Sequence, residues 1–214
     1  MTEPLGDAER LAEVLARARK QGFLGPAPVE EHIGHAEAFV AVLAERARAA
    51  PLRTAVDLGT GGGVPGLAGA LAYPAACWVF VEASSRRAAF LEEAARPLGL
   101  GASVEVIAAR AEDVGRDPGR RGVADAVTAR SFGAPAVTAE CAAPLLRVGG
   151  SLLVSDPPGG GDAGRWDERG LAVLGLHVVE RRPGPPALTI LEQAEPCPPR
   201  WSRRTGIPSK RPLW

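Results

Sequence analysis

Residues 57–66 read DLGTGGGVPG, with five glycines in ten positions directly after the apolar run that begins at Thr54. Glycine gives up more conformational freedom on folding than any other residue. So dense a cluster is retained where the chain must turn through positive φ or let another group approach the main chain closely. The run TAVDL has the length and character of a short buried strand, and PGLAGALAY after the loop reads as a helix opening on Pro65. Strand, glycine loop, helix is the local arrangement that cradles nucleotides at a helix start.

Working outward, the same alternation repeats. CWVFVEA, SVEVIAA, ADAVTA and GSLLVSD read as further strands, separated by the helical stretches SSRRAAFLEEAARPLG, with a Ser start and a Gly stop, and APAVTAECAAPLLR. Strands alternating with helices of about 10–15 residues imply crossover units and a mostly parallel sheet. After Gly164 comes a helix, RWDERGLAVLG, then the strands LHVVERR and ALTILEQ. PGPP joins the last two and is too short for a parallel crossover, so they are expected to pair antiparallel and bring the sheet to seven strands. Upstream, Asp7 is expected to cap a helix to Lys20 with Leu11, Val14, Leu15 and Ala18 inward. GPAP at 25–28 precedes a second helix from Val29 to Arg48 with Ile33, Ala36, Val40 and Leu43 inward. The expected organisation is a helical cap at 1–50, a ligand-binding α/β domain at 51–194 and a basic, Pro-rich extended tail at 195–214.

Composition excludes more than it selects. Lys+Arg and Asp+Glu are both 25, so no global charge points to nucleic acid or membrane. No apolar run approaches the roughly 20 residues of a membrane span, and MTEPLGDAER lacks the features of a secretory signal. Cys77, Cys141 and Cys197 are odd in number and far apart, which argues against a disulfide framework or zinc knuckle and fits a reducing cytoplasm.

Three loop types compete for 57–66. A P-loop needs a lysine after its last glycine, and Leu67 stands there. A dinucleotide loop counted from Gly59 would place its third glycine at Val64. The pattern that is met is acid-x-G-x-G-x-G, by Asp57, Gly59, Gly61 and Gly63, with Thr60 inside the loop. It resembles the first motif of class I methyltransferases, whose cofactor S-adenosylmethionine carries no phosphate and needs no lysine. In that reading Asp57 holds the cofactor's ammonium, directly or through water. Glu82, ending VFVEAS, takes the ribose hydroxyls, or else pairs with Arg86 at i+4. Ala111 and Glu112, in ARAED after the third strand, face the adenine. All sit at carboxyl ends of strands, where open α/β sheets bind ligands.

The succession VDLGTGGGVPGL, RAED, ARSFGAP and the tail RWSRRTGIPSKRPLW is similar to that of the RsmG (GidB) family, bacterial enzymes that methylate N7 of a guanine in small-subunit (16S) ribosomal RNA. The tail resembles the family's PRR-x-G-x-P-x-K-x-PL ending, and EEHIGHAEAF resembles its RHI-x-DS helix, with His32 at the family histidine. The resemblance runs from about Gly22 to the C-terminus. It implies a Rossmann-like methyltransferase fold, S-adenosylmethionine as cofactor and ribosomal RNA or the 30S subunit as partner. It also implies cofactor contacts at Gly59, Val64, Ala111, Glu112 and Arg130. Arg130, from the family's SRA segment, and Arg110, before the adenine-side acid, are the candidate catalytic residues. Either would donate to guanine O6 and leave N7 free, or be occupied by cofactor carboxylate or a neighbouring acid.

Departures fall on the substrate side. The family's Lys-Gly pair after the fifth strand is replaced by VSDPPGGG, with Asp156 in place of a cation, and its arginine, aspartate and serine in the N-terminal helix become Glu31, His35 and Ala36. A small-molecule methyltransferase and a non-catalytic cofactor- or RNA-binding paralogue therefore stand as alternatives. His32-x-x-His35 lacks an evident acid or cysteine partner and is read as a core or surface pair; no metal is expected. DPPG at 156–159 ends in glycine where amino-group methyltransferases carry an aromatic, and reads as a plain loop. In the tail, Arg200, Arg203, Arg204, Lys210 and Arg211 interleave with Trp201 and Trp214. The cations can neutralise phosphates while the tryptophans stack on bases, or the tail can fold back and bury its tryptophans on the domain.

Overall fold

The computed structural model describes residues 6–157 and 163–214. Seven strands form one sheet: β1 (Thr54–Leu58), β2 (Cys77–Val81), β3 (Val104–Ile107), β4 (Ala124–Ala129), β5 (Leu146–Ser155), β6 (Leu176–Arg182) and β7 (Leu188–Gln193). Their order is β3-β2-β1-β4-β5-β7-β6. The first five run parallel, and β7 pairs antiparallel with both β5 and β6, as the short PGPP link requires. The helices are α1 (Asp7–Lys20), α2 (Val29–Ala49), α3 (Gly66–Ala72), α4 (Ser85–Ala95), α5 (Ala111–Val114), α6 (Pro135–Ala142), α7 (Glu168–Ala172) and α8 (Ile207–Lys210).

Strand alternation divides the interior in two. Ala55, Trp78, Phe80, Ala126, Leu153 and Ile190 face a core built with α1, α2, α3 and α4. Val56, Leu58, Val79, Val81, Val127, Leu152 and Leu191 face the other, with α6 and α7. The helical cap thus belongs to the first core: Leu11, Leu15, Phe39 and Leu43 pack in one cluster with Trp78 and Phe80. α3 lies very close to β2, since a Cβ at Gly69 would come within 2.2 Å of the Trp78 ring.

Several expectations are corrected. Gly6, not Asp7, occupies the N-cap of α1, and Glu9 Oε2 accepts from the Gly6 N–H. The inward stripe of α2 is His32, Ala36, Phe39 and Leu43, with Ile33 and Val40 only half-buried. α6 stops at Ala142, with Ala143 as its C-cap, and Leu146 already belongs to β5, so the expected helix to Arg147 is shorter than the sequence suggests. The tail is not extended: it folds back and ends in α8, while Trp201 Nε1 and Trp214 Nε1 donate to the carbonyls of Val173 and Arg165. Pro158 and Gly159 of the DPPG stretch lie outside the described residues.

Candidate functional site

Between β1 and β4 the strand order reverses, and the carboxyl ends of these neighbours diverge into a crevice, the place where open α/β sheets take ligands. A cavity of about 420 Å³ opens there, within the range of small-molecule sites. The expected residues Gly59, Thr60, Gly61 and Val64 from the loop, Glu82 after β2, and Arg110, Ala111, Glu112 and Arg130 all line it.

Two expected residues act from behind the wall instead. Asp57 is 1 % exposed and does not line the cavity. Its Oδ2 accepts from the Gly66 N–H (3.1 Å) and its Oδ1 from the Thr128 hydroxyl (2.6 Å), the residue directly across from it on β4. The carboxylate therefore ties the end of the glycine loop to two strands, and of the two ammonium contacts read from the sequence, direct or through water, its place behind the wall suits the second. Burial pushes its pKa up to about 7, against the lowering effect of those hydrogen bonds and of Arg130. Gly63 also lies off the cavity; its φ of +102° and a Cβ position 2.3 Å from Leu67 leave room only for glycine. Thr60 is buried and donates its hydroxyl to the Asp57 carbonyl at 2.9 Å.

Glu82 is 2 % exposed and holds the loop from the other side. Its Oε2 accepts from the Gly61 N–H at 3.0 Å, and its Oε1 from the Ser84 N–H at 2.8 Å and from Arg87 Nη2 at 2.9 Å. Arg87 at i+5, not Arg86, is its ionic partner. Oε1 has both lone pairs engaged, and Oε2 keeps one for a hydroxyl. Glu112 Oε1 accepts from the Gly206 N–H at 2.9 Å, so the wall beside α5 is tied to the folded-back tail, and Ser209 of α8 lines the cavity too.

Arg130 Nη2 donates to His32 Nδ1 at 2.8 Å, and His32 Nε2 lies 3.3 Å from the Gly25 carbonyl. These partners fix a neutral histidine protonated on Nε2, in keeping with a pKa that burial lowers. His35 is driven down to about 4, chiefly by burial, with the charge of Arg130 acting in the same direction. It stacks on Phe39, and no group of three metal-ligating side chains occurs among the described residues.

Of the tail cations, Arg203 is corrected. Its guanidinium forks onto Glu140, a carboxylate with no exposure, through Nε at 2.8 Å and Nη2, and the Arg203 N–H reaches the same group. Arg203 is an anchor rather than a phosphate contact, while Arg200, Arg204, Lys210 and Arg211 are exposed. Asp156 also has a structural role, accepting from the Thr189 hydroxyl at 2.6 Å and pairing with Arg165 at 3.3 Å, and it does not line the cavity.

Sequence reasoning missed Phe23, Leu24 and Gly25 from the turn between α1 and α2, Arg87, Phe132 and Ser209. Phe132 stood inside ARSFGAP and was findable; a Cβ at Gly59 would come 2.8 Å from its ring, so the loop glycine makes room for it. Ser209 carries no local signal, being brought in by contacts across the chain.

The donor set suits a particular ligand class. Two carboxylates and glycine backbone on the loop side favour a ligand with hydroxyls and positive charge over one with phosphates. The Nε atoms of Arg87 and Arg130, both on cavity-lining residues, are buried with no partner.

Comparison with known proteins agrees. The family model described as "GidB: rRNA small subunit methyltransferase G" matches residues 29–155. A ribosomal RNA small subunit methyltransferase G of Symbiobacterium thermophilum is 35% identical over 174 residues, covering 76% of this chain and 71% of the relative. One from Rubrobacter xylanophilus is 35% identical over 225 residues, covering 99% and 84%. Among solved structures, the cofactor-bound protein Rv0187 from MTB superposes with a TM-score of 0.63 at 20% identity, covering 90% of this chain and 93% of that one. An O-methyltransferase from Bacillus cereus in complex with SAH gives 0.61 at 17% identity, covering 89% and 92%. At such identities the likeness speaks for the fold.

Proposed function

The chain belongs to the rRNA small subunit methyltransferase G (GidB) family, and on that premise we propose that it transfers the methyl group of S-adenosylmethionine to ribosomal RNA of the 30S subunit, at N7 of a guanine. The observation that carries this reading is the convergence of the glycine loop, Glu82, Glu112 and Arg130 on one cavity at the strand-order reversal. When bound, S-adenosylmethionine supplies an electrophilic methyl on a sulfonium. Glu82 holds the ribose hydroxyls, Ala111 and Glu112 flank the adenine, and the loop backbone from Gly59 to Gly61 lets the nucleoside lie against the main chain.

Guanine N7 bears an in-plane lone pair and no proton, so the chain needs no general base. Its work is positioning and exclusion of water, which can supply roughly 7–11 kcal/mol when the reacting atoms are held in line. Arg130 stands at the cavity with its guanidinium fixed by His32, and it is the residue we assign to guanine O6, with Arg110 on the opposite rim. Phe132, against the glycine loop, offers a face on which a base can stack. Asp156, which stands in place of the family lysine after β5, is turned to Thr189 and Arg165 and does not line the cavity.

The test is transfer of tritiated methyl to 30S particles and to total RNA from a strain lacking this gene, followed by mapping of the label. The expected product is one 7-methylguanine in small-subunit RNA. Label confined to small molecules of a cell extract would assign a different substrate, and cofactor binding without any transfer would make this a non-catalytic relative.

A further inference from the structure

The turn from α1 into α2 does more than close the cavity. A groove lined by Ala16, Arg19, Lys20, Leu24, Gly25 and Pro26 runs beside it, and Leu24 and Gly25 line the cavity as well. Groove and cavity share a lip. Arg17, Arg19 and Lys20 make up the basic last turn of α1 and are exposed. Cations at a helix C-terminus are favoured by its dipole, which explains their place on α1 but not what stands next to them.

Arg86, from the first turn of α4, lies over the Phe23 ring at 4.9 Å. Arg17 lies over Phe90 at 5.2 Å, and the two rings meet edge to face at 5.3 Å. Guanidinium groups from two elements are thus held on one aromatic pair, ordered before any ligand arrives. Arg19 gives one N–H to the Pro26 carbonyl at 3.0 Å, which fixes its stem along the groove and leaves its other donors. Arg17 also pairs with Glu93 at 3.7 Å. Around the lip stand Arg110 and Arg87, the latter paired with Glu82. The chain as a whole is neutral, so this concentration of charge is local.

We propose that this groove receives the sugar–phosphate backbone of the RNA strand flanking the target base, with Arg19, Lys20 and Arg86 facing phosphates. The proposal rests on the RNA methyltransferase reading and adds a contact surface on the opposite side of the cavity from the C-terminal tail. The strand would cross the Leu24–Gly25 lip and present one base to Arg130 and Phe132.

The experiment uses the full chain with Lys20→Glu and Arg86→Glu together, and the milder pair Lys20→Ala with Arg86→Ala. Both pairs are compared with a tail variant, Arg204→Glu with Arg211→Glu. Binding to small-subunit RNA is followed from 50 to 200 mM salt, alongside methyl transfer and cofactor affinity. Expected for the groove variants is about tenfold weaker RNA binding and a slope of log affinity against log salt shallower by about 1.4, as for two lost phosphate contacts on a single strand. Cofactor affinity stays within twofold. Wild-type RNA affinity and slope in both groove variants, with the whole effect in the tail variant, would overturn the groove assignment and leave the methyltransferase reading standing. A wild-type protein that neither binds nor methylates RNA would remove both.

Discussion

Asp57 shows how a residue can be found correctly and read for the wrong contact. Its position at the end of β1 was legible from the run TAVDL, but its partner Thr128 lies 71 positions away and nothing local announces it. The consequence is measurable. The folded protein keeps a proton on Asp57 up to about pH 7 that the unfolded chain releases near 4, so this group's contribution to stability falls as pH rises across that window. His35, with its pKa lowered to about 4, acts in the opposite sense, gaining stability as pH rises toward its ordinary value. Asp57→Asn isolates the first effect. Between pH 5 and pH 7 the stability difference, measured by urea unfolding, should move in favour of the variant by about 2 kcal/mol; a difference independent of pH would contradict the burial argument. His32 was legible by family resemblance alone, and its work is set by Arg130, 98 positions on. Loss of a hydrogen bond to a charged group is worth about 1.5–3 kcal/mol. His32→Ala should therefore lower kcat for methyl transfer about 10- to 100-fold with little change in cofactor affinity. His32→Gln, which retains a donor and an acceptor, should recover most of the rate. Equal losses in both variants would mean that His32 does not act through Arg130.

At the scale of elements, the strands were the most legible parts. A buried strand is a short apolar run wherever it packs, and β1 and β4 match the sequence reading residue for residue. Four-residue α5 was not foreseen, being too short to show a period. The fold of the tail was invisible because long-range contacts stabilise it: Arg203 on Glu140, Gly206 on Glu112, and Arg121 Nη2 on the carbonyls of Cys197 and Pro198. Half of the tail reading, the folding back of the tryptophans, matches the structure, and Trp214 packs so tightly on α7 that a Cβ at Gly170 would lie 2.1 Å from its ring. The latch can be tested. Glu140→Ala removes the buried partner of Arg203, at a cost of about 2 kcal/mol. That is less than the 3–5 of a wholly buried pair, because Arg203 keeps a path to solvent. Trypsin should then cut after Arg200, Arg203 or Arg204 under conditions where the wild type resists, and cofactor affinity should drop because Gly206 and Ser209 leave the wall. Unchanged resistance would mean that other contacts hold the tail.

Across the whole molecule, the two cores on the faces of the sheet place the strand-order reversal at the surface, and the cap and the tail approach it from different sides. The cap at 1–50, with its internal break at GPAP, was read as a unit apart from the α/β domain, yet it shares a core with β2 and supplies Phe23, Leu24 and Gly25 to the cavity. A composition boundary marks a turn in the chain; it does not reveal which faces the turn brings together. Everything proposed for this chain depends on that cavity seating the methyl donor. Titration calorimetry with S-adenosylmethionine and its demethylated product, on the wild type and on Glu82→Ala, asks this directly. Saturable binding at one site per chain, weakened at least tenfold in the variant by loss of a charged hydrogen-bonding group, is the predicted result. No heat at millimolar ligand, or equal affinity in both proteins, would contradict it.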